Sequence, residues 1–130
     1  MSSHEVPVDL AYTREHEWVR LTDGVATVGI TAYAADALGD VVYAQLPELG
    51  REVAPGDVTG EVESHKSVSE IFSPLAGEVV AVNDELATAP ELVSSDPYGE
   101  GWLFRLEVPE EATDLLDAAE YEAYLDTLEA

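Results

Sequence analysis

The chain has 130 residues, 46% of them apolar, and sets 28 acidic side chains against five basic ones for a formal net charge of -23. That length fits one domain over residues 1–130, and the apolar share is enough to furnish a core. Phosphate binding needs clustered Lys and Arg, so five scattered basic residues exclude nucleic acid and, on the same ground, anionic membrane surfaces.

The N-terminus, Met1-Ser2-Ser3-His4-Glu5, lacks a basic region followed by an apolar run, and no apolar stretch reaches membrane-spanning length. A cytoplasmic protein is therefore expected. Residues 1–10 read as an extended lead-in. Tyr12 to Leu21 alternates as a strand and turns at Asp23-Gly24 into a second strand, Val25 to Ile30, since Asp-Gly between two such runs marks a hairpin. Thr31 can cap a short helix, Ala32 to Leu38, that Gly39 terminates. Val41 to Leu46 reads as a strand, and Pro47 to Gly50 with Pro55-Gly56-Asp57 bound the next short segment.

Val58 to Ser64 and Ser67 to Phe72 form a hairpin over about residues 58–72 with a polar tip, Ser64 to Ser67. Gly77 to Val82 supplies another strand before Asn83 starts a helical turn. Pro90 to Gly101 is a turn-rich loop leading to the strand Trp102 to Val108, which stops at Pro109. From Glu110 on, Leu115, Leu116, Ala119, Tyr121, Tyr124, Leu125 and Leu128 recur at helical spacing among acids. They predict an amphipathic tail over about residues 110–130, broken near Ala119 and packed on the rest. Short, regularly spaced strands with Gly or Pro at the bends, and no crossover helices, make the class mainly β, a small flattened barrel or sandwich.

The tip of the hairpin holds the only lysine of the chain, Lys66. A solvated surface lysine is the plain reading. Against it, a chain that has otherwise eliminated lysine keeps one where an ammonium on a four-carbon stem is reachable from every side. No catalytic group is expected: there is no cysteine, no nucleophile elbow and no Gly-rich phosphate loop. His4, His16 and His65 lack metal-ligand spacing, so no metal is expected. His16 reads as lying between acids on a strand, Trp18 and Trp102 as core or rim aromatics, and Glu17, Glu63 and Glu70 as surface acids. The acids fall singly or in short runs among apolar residues, which predicts a carboxylate-coated, halophilic surface screened by salt.

The segment Glu63-Ser64-His65-Lys66-Ser67, followed by Ser73-Pro74-Leu75-Ala76-Gly77-Glu78-Val79-Val80-Ala81-Val82-Asn83, resembles the lipoyl-attachment segment of the glycine cleavage system H protein family. Four further stretches are similar to that family in its order: Tyr12 to Val19, Gly29-Ile30-Thr31 with Leu38 to Tyr43, Leu46 to Gly50, and Pro90 to Val93 with Pro97 to Trp102. His65 and Ser67 depart from it, standing where a small apolar residue and an alanine are usual.

The resemblance implies a barrel-sandwich hybrid with a C-terminal helix, and lipoate in amide linkage to Lys66. It further implies a shuttle that is not itself an enzyme. The lipoyl arm would take the aminomethyl group left when a pyridoxal-phosphate glycine decarboxylase acts on glycine and carry it to a tetrahydrofolate-dependent aminomethyltransferase. Dihydrolipoamide dehydrogenase would reoxidise the dithiol, a lipoylating enzyme would install the arm, and the carrier is expected to be a monomer. Glu17 and Glu70, matching acidic positions of the family, are candidates for docking the protonated aminomethyl group by a charge-assisted hydrogen bond. Other carriers of this lysine class are the alternatives. One is a lipoyl-relay role; another is a biotin carrier, whose family flanks its lysine with methionines, whereas the single methionine here is Met1.

Overall fold

The structure, a computed structural model, describes residues 5–109 and 115–129. Among the described residues nine strands form two sheets. The larger is built from β1 (Ala11–Tyr12), β2 (Glu17–Thr22), β3 (Val25–Ile30), β9 (Phe104–Glu107), β8 (Gly77–Val82) and β5 (Glu52–Val53), in that spatial order. The smaller runs β4 (Val41–Gln45), β6 (Val58–Ser64), β7 (Val68–Phe72). Every pairing is antiparallel. The expected mainly β sandwich is what the chain builds, as two separate sheets rather than a closed barrel.

Local chemistry accounts for the elements. Asp23 and Gly24 both take positive φ, which joins β2 to β3 with a right-handed twist. Thr31 accepts from Ala34 N and caps α1 (Ala32–Leu38), while Gly39 at φ 83 ends it, its amide bonding Ala35 O. Asn83 caps the 3-10 turn Asp84–Ala87 in the same way. Gly29 has a packing reason, because a Cβ there would come within 2.6 Å of the Trp18 ring. Inward-facing residues of both sheets, among them Val28, Val62, Val79 and Leu106, make the main core. Removing them from water supplies the principal stabilisation of so small a domain.

Three expectations change. The run Tyr12 to Leu21 is not one strand: Thr13 folds the chain back on itself, its hydroxyl accepting from the amides of Glu15 and Glu17, and separates β1 from β2. The loop after Pro90 contains a helical turn, α2 (Leu92–Ser95), and the last strand is shorter than Trp102 to Val108.

The helical tail begins late, and its first part, residues 110–114, lies outside the described residues, as does His4. Leu116 pairs as a β-bridge with Tyr12 instead of joining the helix. The helix α3 is Ala118–Glu129, unbroken at Ala119. Asp117 and Glu120 cap it reciprocally: Glu120 N donates to the Asp117 carboxylate at 2.8 Å and Asp117 N to Glu120 at 2.9 Å. Tyr121 and Leu125 turn inward, with Leu10, Tyr12, Trp18, Leu116 and Ala118, to form a second core between helix and sheet. None of the described helices is long and apolar enough to cross a membrane.

Candidate functional site

Lys66 stands exposed in the turn between β6 and β7, as expected. Ser64 organises that turn. Its backbone amide donates to Ser67 O at 2.8 Å, and its hydroxyl oxygen accepts from Lys66 N at 3.3 Å and from Ser67 N at 3.2 Å. With those amides held inward by a buried serine, the His65 and Lys66 side chains are left outside.

The stem of Lys66 lies over Gly39. A Cβ on that glycine would sit in ordinary contact with the stem, 3.4 Å from Lys66 Cε and 3.8 Å from Nζ, so the glycine is there for the positive φ of the helix end. The glycine is itself fixed. Ser94 Oγ donates to Gly39 O at 3.0 Å and accepts from Val41 N at 2.9 Å, tying the end of α1 and the start of β4 to α2.

Glu17 corrects the surface reading. Only 1% of it is exposed, and both carboxyl oxygens are engaged: Thr13 Oγ1 donates to one at 2.9 Å and the Phe72 amide to the other at 3.1 Å. It lines a cleft of about 670 Å³ with Thr13, Glu15, Pro55, Phe72, Pro74 and Leu115 among its walls. Burial pushes its pKa up to about 7, against the lowering effect of the two donors. The carboxyl therefore changes charge near neutrality.

Glu70 is not gathered into that cleft. It is exposed on β7, directly across from Glu61, between the Lys66 turn and Phe72 at the far end of the strand. Glu15, not singled out from the sequence, is the second acid of the cleft. Glu63 faces Val68 at the last ladder pair before the turn.

His16 is a further correction: it lies in a turn, half-buried, at φ 68. Its Nδ1 is 2.8 Å from the Tyr121 hydroxyl and its ring packs against Tyr33 and Tyr124. Trp18 is fully buried and donates Nε1–H to Pro97 O, whereas Trp102 is half-buried under the Arg105 guanidinium. Among the described residues no three of His, Asp and Glu are grouped so as to hold a metal ion.

A two-sheet domain that presents one lysine on an ordered hairpin tip has the architecture of a carrier protein. The chain belongs to the glycine cleavage H-protein family, whose sequence model matches residues 10–128. It is 59% identical to the glycine cleavage system H protein of Thermobifida fusca over 116 residues, covering 89% of this chain and 92% of that one. It is 57% identical to the H protein of Mycolicibacterium smegmatis over 125 residues, covering 92% and 95%. The fold is similar to the crystal structure of a glycine cleavage system H protein from Mycobacterium marinum, with a TM-score of 0.87, 41% identity, and coverage of 93% and 99%.

Proposed function

We propose that the protein is the lipoyl-carrying shuttle of a glycine cleavage system, with lipoate joined to Lys66. It acts as a carrier component rather than an enzyme. The observation that carries the assignment is that a member of a lipoyl-bearing family has one lysine, and that lysine is exposed on an ordered tip. When bound, lipoate supplies a dithiolane that accepts the aminomethyl group of glycine. Delivery then runs from the pyridoxal-phosphate glycine decarboxylase to the tetrahydrofolate-dependent aminomethyltransferase, with dihydrolipoamide dehydrogenase and a lipoylating enzyme as the other partners. A monomer in the cytoplasm suits that traffic, because a tethered group meets each partner at high effective concentration without its carrier having to change.

The chain's own residues have three tasks in this reading. Ser64 holds the turn so that Lys66 stays outward, with its stem lying over Gly39. Glu17 holds the cationic cargo in the cleft by a charge-assisted hydrogen bond, sheltered from bulk water. Glu70, on the strand that runs from the tip to Phe72, offers an acid outside the cleft. The many remaining acids we read as salt adaptation.

Lys66→Arg tests the assignment, since it keeps the charge but cannot form the amide. The variant is expected to fold, to take up no lipoate and to support no glycine cleavage with the partner enzymes. Lipoate recovered on the variant overturns the attachment site.

A further inference from the structure

We propose that Tyr121 of the C-terminal helix is a positioning residue for the cleft, holding the Glu17 carboxyl in place through the ring of His16. The proposal rests on Glu17 as the docking group, but its geometry stands apart from the arm. The Tyr121 hydroxyl bridges two side chains of the strand layer, Thr31 Oγ1 at 2.8 Å and His16 Nδ1 at 2.8 Å. Thr31 is also tied to the same histidine by its backbone, Thr31 N donating to His16 O at 3.0 Å. His16 is thus held from both its backbone and its ring, and it needs to be, because its φ of 68 lies in the left-handed region that histidine occupies at a cost.

That left-handed residue sets the direction of the next one. At His16 the chain leaves the Thr13 turn, whose backbone is closed by His16 N to Thr13 O at 3.1 Å and Thr13 N to Glu17 O at 3.0 Å. Glu17 then enters β2 with its side chain inward, where it receives Thr13 Oγ1 and Phe72 N. The ring of Tyr121 does not depend on its hydroxyl for its place, being fully buried and stacked on Tyr12 at 4.8 Å between centroids and 7° between planes. Removing the oxygen alone therefore takes away the hydrogen bond on the His16 ring while leaving the helix packed and the His16 backbone tied to Thr31. With the ring unanchored, the left-handed turn is held less firmly and the carboxyl can shift toward water.

The direct test follows the Glu17 carboxyl by carbon NMR titration in the protein without lipoate, comparing Tyr121→Phe and His16→Gly with the parent. Among the described residues the other charged group facing that carboxyl in the cleft is Glu15, on the same turn; the described walls from residues 55–56, 72–76, 108–109 and 115 carry none. In Tyr121→Phe the titration should move down from about 7 toward the ordinary glutamate range, with the melting temperature almost unchanged. His16→Gly, which accepts the positive φ without strain but has no ring to anchor, should move it in the same direction. In the loaded protein, Tyr121→Phe should release the cargo several-fold faster. An unmoved titration in both variants, with α3 still packed, overturns the proposal. A moved titration with cargo release unchanged in Tyr121→Phe and in Glu17→Gln supports the positioning role and overturns the docking reading instead.

Discussion

In the proposed reading Glu17 is the residue on which sheltering of the cargo turns, and its ionisation sets when that sheltering operates. Its carboxyl is neutral below about 7 and charged above, so a cation is held at alkaline pH and let go as pH falls. Release from the loaded protein should accelerate as pH drops through about 7, and Glu17→Gln should be fast throughout, with this step absent from its profile. A step of the same size in the variant assigns it to some other group. Stability carries the same signature. Because the folded state keeps the proton up to about 7 while the unfolded chain loses it near 4.5, folding is favoured at the acid end and stability declines as pH rises between the two. Glu17→Gln removes that decline, which denaturant titrations at pH 5 and pH 8 will read.

At the scale of elements, α3 joins the strand layer through a small core of its own and a cap. Leu125 is fully buried in that core, and Leu125→Ala should cost about 2–5 kcal/mol in denaturant unfolding. Asp117→Ala, which removes the cap, should cost about 1 kcal/mol; equal costs for the two would mean that packing is not what fastens the helix.

How much of this was legible in the sequence follows the range of the interactions. The Asp23-Gly24 hairpin, the Thr31 cap with its Gly39 stop, and the Ser64 to Ser67 tip rest on residues within a few positions of each other, and all three were readable. The burial of Glu17 was not. Its partner Phe72 is 55 positions away, and among 28 acids nothing local distinguishes it except Thr13 four residues before. His16 was misread for the same reason, since the hydroxyl that holds it is 105 positions downstream. The late start of α3 escaped the periodicity because Leu116 is apolar for the sake of the bridge to Tyr12, and its spacing happens to continue the helical pattern.

For the whole molecule the dominant quantity is charge. Of four arginines, three rest on aromatic faces, Arg14 on Tyr124, Arg20 on Trp18 and Arg105 on Trp102, at 5.8, 5.0 and 4.1 Å from the ring centroids. Cations so placed add packing to the fold but offset little of a net charge of -23. Repulsion among the acids is screened over about 10 Å at 0.1 M salt and about 3 Å at 1 M. Melting temperature should therefore climb through a potassium chloride series into the molar range, and a flat series contradicts salt adaptation.

In the proposed function every step passes through one nitrogen, Lys66 Nζ, on the single lysine of the chain. The most direct measurement is the intact mass of the protein purified from its native host, with fragmentation to locate the modified residue. A single lipoyl increment is expected, on the peptide containing Lys66. A biotinyl increment, or a uniformly unmodified lysine in cells that are degrading glycine, contradicts it.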